Sequence, residues 1–215
     1  MPEKILLALD LALTSGYCFA RVKGDDKGEI YRWGTFRVDD SSSFLGDHCL
    51  DLQSRVRDLI EEEKVTHLVV EDYFFNPRKR NGSQVNVALR TAVYILARTL
   101  GLEYTIISIS GWKTYIAGSS KPNKEQKKKW KTRAQKFYIQ EALWKRYKIR
   151  FPNHGISEKT GKPTAPVSDV VDVVGQMIYY LGMIEHIPDK SLDVIVEIPE
   201  DVLWKKKPVG VYDYQ

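Results

Sequence analysis

The alternation of apolar and polar positions divides the chain into short buried runs and longer periodic segments. Residues 4–10, KILLALD, form a near-continuous apolar run that ends in an acid, the pattern of a central strand covered on both faces. After the LALTSG turn, YCFARV and EIYRWGTFRV read as two more strands joined by the hairpin turn GDDKG. From about 46 to 64, Leu50, Leu52, Val56, Leu59 and Ile60 recur at helical spacing among charged positions, which predicts an amphipathic helix. THLVVEDYFF repeats the first pattern, closing its apolar run on Glu71, and predicts a fourth strand. Residues 82–100 read as a helix that starts near Gly82 or Ser83 and is stopped by Gly101, with LEYTIISIS as a fifth strand. Residues 125–149 predict one long basic helix carrying Trp130, Phe137, Ile139, Leu143, Trp144 and Tyr147, and FPNHGISEKTGKPTAP reads as loop throughout. VSDVVDVVGQMIYYLGMIEH then predicts an apolar helix with Ser168 as its N-cap. With right-handed crossovers, this order predicts an α/β fold whose central five-stranded mixed sheet is flanked by helices.

Length adds a bound: 215 residues, 43% of them hydrophobic, suffice for one well-cored domain and are short for two. The expected organisation is a domain over residues 1–185, with a basic helical insertion at about 119–167 and a peripheral tail over 186–215. No apolar run approaches the roughly 20 residues of a membrane span. The opening MPEKILLALD is interrupted by Asp10, so neither a leader nor an anchor is expected. Cys18 and Cys49 are too few and too far apart for a disulfide framework or a zinc knuckle. A cytoplasmic location is the resulting expectation.

Charge changes the picture more. Residues 121–150 hold twelve Lys or Arg against Glu125 and Glu141, so this stretch carries +10 of an overall +5 and the remainder carries −5. Such polarity suggests a polyanion bound on one face, with a solvated lysine-rich helix as the alternative.

The acids supply the candidate chemistry. Asp10 and Glu71 each end an apolar strand, and in neighbouring parallel strands they would emerge side by side at the C-terminal edge, where open α/β sheets place their sites. Asp169 and Asp172 lie three apart at the start of an apolar helix and therefore share a face. Buried carboxylates in company repel unless a cation neutralises them, and hard oxygen donors suit Mg²⁺ or Mn²⁺, with two ions serving phosphodiester hydrolysis. Taken singly, Asp10 could be a turn acid and Asp169 a first-turn residue favoured by the helix dipole.

The stretches ILLALDLALTSGY, LVVEDYFF, NVALRTAVYILARTLGLEYTIISISGWKTYIAG and SDVVDVVGQMIYYL together resemble the RuvC-type Holliday junction resolvases of the ribonuclease H-like superfamily. The resemblance runs from about residue 4 to 184. It implies a homodimeric, Mg²⁺- or Mn²⁺-dependent endonuclease of DNA recombination and repair that cuts four-way junctions, with Asp10, Glu71, Asp169 and Asp172 as catalytic, metal-holding acids. Phe74, three positions after the second acid, falls where the family places an aromatic junction probe, with ordinary core packing of Tyr73, Phe74 and Phe75 as the alternative. Lys113, Lys121 and Lys124 resemble the family's backbone-gripping basic residues, and Lys127, Lys128, Lys129, Lys131 and Arg133 extend the expected DNA contact. The longer basic segment at 119–167, the tail after 185, and Leu-Ala-Leu where the family usually has Pro-Gly suggest a divergent branch, a viral one included.

Other readings stay open. A nuclease of the same fold could act on flapped, otherwise branched or single-stranded DNA, and a non-catalytic DNA-binding protein could use the basic segment alone. LDLALTSGY also resembles the phosphate loop of actin-like kinases, but the chain is short for two lobes. The chain has no G-x-x-x-x-G-K-[ST], G-x-G-x-x-G, H-E-x-x-H or C-x-x-C, which leaves nucleotide and zinc chemistry without support.

Overall fold

Alternate residues of the first strand enter two different cores, and the architecture follows from that. The computed structural model describes residues 3–24, 26–39, 41–73, 80–159, 163–166, 168–194 and 210–211. In β1 (Lys4–Asp10), Leu6 and Ala8 face one core while Leu7 and Leu9 face the other, all without exposed surface. Burial on both sides is why the run has no polar gap before Asp10. β2 (Thr14–Lys23) and β3 (Lys27–Arg37) continue as an antiparallel meander. α1 (Leu45–Glu63) buries Leu52, Val56 and Ile60 and returns the chain to β4 (His67–Glu71), parallel to β1. α2 (Arg80–Thr99) packs beside α1, and Gly101, at φ 68°, turns the chain into β5 (Glu103–Ile107), parallel to β4. These assignments follow the apolar periodicity closely.

The next elements depart from it. The fifth strand stops at Ile107 instead of running on through Ser110. Ser108 accepts a hydrogen bond from the Gly111 amide at 2.9 Å and caps α3 (Ile109–Ala117), so local capping overrides the strand-like alternation of Ile and Ser. The expected basic helix is broken into α4 (Lys124–Trp130) and α5 (Ala134–Tyr147) by a single 3₁₀ turn, Lys131–Arg133, with Lys131 at φ 52°. In an unbroken helix, residues 130 and 137 would stand roughly 10 Å apart along the axis. The break lets Trp130 fold back on Phe137, ring centroids 4.5 Å apart. Beneath them Glu141, its side chain 6% exposed, takes Lys129 and Lys145 at 3.2 Å each. Burial pushes its carboxyl up, but these two ammonium groups hold it below the usual range.

The stretch read as loop contains β6 (Pro152–Ile156) and β7 (Pro163–Pro166), paired antiparallel. β7 is an edge strand, where proline is tolerated, so the breaker residues did not forbid pairing. α6 (Ser168–Met183) then crosses the sheet face that holds Leu6 and Ala8, with α3 and α5 packed against it. After the 3₁₀ turn Asp189–Ser191, β8 (Leu192–Val194) pairs parallel with β3. The main sheet therefore has six strands, ordered β5-β4-β1-β2-β3-β8, where five were expected. β8 is too short to register as a strand by pattern alone. β9 (Gly210–Val211) joins β6, completing a second sheet ordered β7-β6-β9. Among the described residues no helix is long and apolar enough to cross a membrane.

At the sheet edge remote from the acids, His67 is clasped between Glu103 at 2.9 Å, Thr105 at 2.8 Å and the Tyr180 hydroxyl at 3.0 Å. Burial holds this histidine below its ordinary pKa, against the pull of Glu103, and the network ties α6 to β4.

The Trp130 contact predicts a local rather than global effect. Trp130→Ala should cost about 3–5 kcal/mol of packing and raise amide exchange across Lys124–Arg133 while β1 and β4 stay protected. Unchanged protection in that segment would show that the fold-back does not depend on the indole.

Candidate active site

Parallel pairing of β1 with β4 sets Ala8 against Val69 and Leu9 against Val70. One step further along both strands stand Asp10 and Glu71. Both share the parity of Ala8 and Val69, which lie in the core beneath α6, so the two acids emerge on the α6 side at the C-terminal ends of adjacent strands. On the other flank, Asp10 is paired with Gly16 of β2. A Cβ at Gly16 would stand 2.8 Å from the Asp169 carbonyl carbon and 3.3 Å from Val173 Cγ1. The first turn of α6 is thus seated directly on bare backbone opposite Asp10. Asp169 begins that turn and Asp172 lies one turn on.

Electrostatics confirm the gathering. Burial raises the Asp10 carboxyl well above its ordinary value, and Glu71, Asp172 and Asp169, in that order, raise it further, while Arg90 opposes them. Asp172 is pushed up to about 7 by burial and by Glu71 and Asp169, against the attraction of Lys113 and Lys136. Glu71 is raised by burial despite a hydrogen bond from Trp112 and the nearby Lys113 and Arg90. All four acids keep partial exposure, so the cluster is reachable from solvent.

The surroundings of Glu71 were not apparent in the sequence. Trp112, fully buried on α3, donates from Nε1 to Glu71 Oε1 at 2.6 Å. Arg90, 6% exposed on α2, donates to the Glu71 carbonyl oxygen. A basic residue inside an otherwise apolar helix face was the available signal for Arg90, and none existed for Trp112. Lys136, on the first turn of α5, was also missed, since it looked like one more member of a basic run.

The predicted DNA-contacting residues are distributed unevenly. Lys113 is half-buried and close enough to Glu71 and Asp172 to influence both. Lys121, Lys124, Lys127, Lys128, Lys131 and Arg133 are exposed on or around α4. Tyr138, whose phenol is pushed up by burial and by Asp172 and Glu71, donates to the Ser120 carbonyl at 2.9 Å. That bond ties the segment entering α4, and with it Lys121, to the neighbourhood of the acids. Lys129 instead turns toward Glu141. Phe74 lies outside the described residues.

The donor set is chemically suited to a hard divalent cation: four carboxylates, partly buried and mutually repelling, with no sulfur or imidazole among them. Among the described residues, no group of three or more His, Cys, Asp or Glu side chains is close enough together to hold a metal ion as it stands. The acids are gathered into one field rather than folded onto one point.

No protein-family model matches the chain, and no protein of curated function does. Among solved structures, Thermus thermophilus RuvC superposes with a TM-score of 0.53 at 14% identity, covering 83% of this chain and 96% of that one. T. thermophilus RuvC in complex with Holliday junction substrate gives 0.54 at 15% identity, covering 85% and 97%. The yeast mitochondrial Holliday junction resolvase Ydc2 aligns at 0.49 and 16% identity, covering 84% and 80%. The six-stranded sheet with helices on both faces is the ribonuclease H-like α/β fold shared with the T. thermophilus structures.

Mutual repulsion at the site has a pH signature. In the folded protein Asp172 holds its proton up to about pH 7, whereas an unfolded chain releases it near 3.8. Without divalent cation, this group therefore makes stability fall as pH rises from about 4 to about 7. Asp10→Asn, which removes one of the repelling charges, should raise the metal-free melting temperature at pH 7 by roughly 2–4 °C for each 1 kcal/mol relieved. The gain should shrink toward pH 4. A variant less stable than wild type at pH 7 in chelator would contradict the repulsion.

Proposed function

We propose that this chain is a metal-dependent endonuclease that hydrolyses phosphodiesters in four-way DNA junctions, a divergent relative of the RuvC-type resolvases and on that reading a homodimer. The observation that carries the proposal is the convergence of Asp10, Glu71, Asp169 and Asp172, drawn from β1, β4 and α6, into one electrostatic cluster at the C-terminal edge of the sheet. The fold shared with T. thermophilus RuvC supports it, as does the basic α4–α5 segment beside the cluster.

In this reading Asp10, Glu71, Asp169 and Asp172 hold Mg²⁺ or Mn²⁺, as a pair of ions. When bound, the metal supplies Lewis acidity that activates the attacking water and stabilises the leaving oxygen, giving 5′-phosphate and 3′-hydroxyl ends. Lys113 and Lys136, beside Asp172, would attract the scissile phosphate, and Gly16 keeps the first turn of α6 close to Asp10. Exposed Lys121, Lys124, Lys127, Lys128, Lys131 and Arg133 would bind flanking backbone through counterion release. Phe44, Leu50, Val87 and Ile95 leave apolar surface open on the α1–α2 side, which is compatible with a second copy. A viral source belongs to the same reading of the chain's divergence.

The deciding experiment incubates the protein with labelled four-way junction, flap, duplex and single strand, each with Mg²⁺ or chelator. Paired symmetric nicks in the junction, dependent on Mg²⁺, are expected. Cutting confined to flaps or single strands would replace the junction assignment with another nuclease of the same fold. Asp10→Asn should abolish cleavage and leave junction binding intact. Replacing Lys127 and Lys128 with Gln should make the log–log salt slope of binding shallower by roughly 2, since each phosphate contact contributes about 0.9. An unchanged slope would mean that these two lysines merely face water.

A further inference from the structure

Trp112 touches one candidate catalytic acid and the helix that carries two others. Its indole has no exposed surface, and its ring lies over Gly175 of α6, where a Cβ would stand 2.8 Å from Cζ3 and 3.2 Å from Cε3. A side chain at residue 175 would therefore displace the ring. From this seat Nε1 reaches Glu71 Oε1 at 2.6 Å, while the Lys113 ammonium stands 5.0 Å from the centroid of the same indole. The Ser108 cap fixes the start of α3 and thereby the turn from which Trp112 projects.

A ring needed only for volume could be Phe or Leu. Indole N–H is a donor that cannot accept, so it complements the Glu71 carboxylate it meets. Glu71 sits on a flexible side chain among like charges, and left unheld it would swing toward Lys113 or solvent to escape Asp10. A charge-assisted hydrogen bond to one oxygen opposes that escape.

We propose that Trp112 is a positioning residue for Glu71: its ring sets the spacing between α6 and β4 at Gly175, and its N–H pins one carboxylate oxygen so that the other stays available to the divalent cation. The role rests on the reading that these acids hold such a cation. Trp112 never meets substrate and acts through Glu71.

The test uses the whole protein and Mn²⁺ as probe, with free Mn²⁺ followed by its EPR signal. Trp112→Phe keeps the ring and removes the donor. It should raise the Mn²⁺ concentration for half-saturation about 10- to 100-fold, leave the melting temperature in chelator within a few degrees of wild type, and recover cleavage at high Mn²⁺. Gly175→Ala, which keeps the indole but pushes its ring and N–H off the Glu71 oxygen, should weaken Mn²⁺ binding in the same direction and decides the matter should Trp112→Phe fail to fold. Wild-type Mn²⁺ affinity in these variants overturns the positioning role while the carboxylate site stands. Wild-type protein that takes up no Mn²⁺ overturns the carboxylate reading and this role with it.

Discussion

The first turn of α6 rests on β2 at Gly16, where the strand presents no side chain, and this contact decides where half of the acid cluster stands. Asp10 is fixed by its place in β1 and Glu71 by the pairing of β4 with β1, so neither can adjust much. Asp169 and Asp172 come from a separate element more than 150 residues away in sequence than Asp10. Their position depends on how deeply α6 settles onto the sheet. A methyl group at Gly16 would lift the helix N-terminus and widen the cluster, although no acid would have changed.

Bringing like charges together is unfavourable in a protein without cation, and the scaffold offsets it elsewhere. α6 is held along its length by Val170, Val173, Val174, Met177 and Leu181 in the core and at its far end by Tyr180 on His67. That distant clasp lies on β4, the strand that ends in Glu71, so the two elements that meet at the acids are also joined four residues before Glu71 and eight after Asp172. The packing that holds α6 thus lies away from the like charges it brings together.

Much of this was legible in the sequence because burial writes itself as apolar runs. Asp10 and Glu71 were conspicuous as the first polar residues after such runs, and Asp169 and Asp172 as acids on an apolar helix. Which side of the sheet they face became clear only from the strand pairing and the position of α6. What escaped was whatever depends on contacts between distant segments. Gly16 resembles any turn glycine until α6 is seen resting on it, and Trp112 resembles any core aromatic until Glu71 is found at its N–H. The single long helix over 125–149 failed because helical spacing of Trp130 and Phe137 is compatible with one continuous face, whereas their rings stack only after a reversal. The sixth strand failed because three residues paired at a sheet edge carry no period to detect.

The last strands described have a consequence for the order of assembly. β8 stands at the edge of the main sheet and β9 supplies a margin of the small sheet, whose other strands follow the basic helices α4 and α5. Residues near 210 must therefore find partners near 152, a long closure of the chain. During synthesis the basic segment can form its helices early, but the β6–β7 pair stays one strand short until residues near 210 have been made. The segment richest in positive charge thus reaches its final arrangement only when the acids it flanks are already in place.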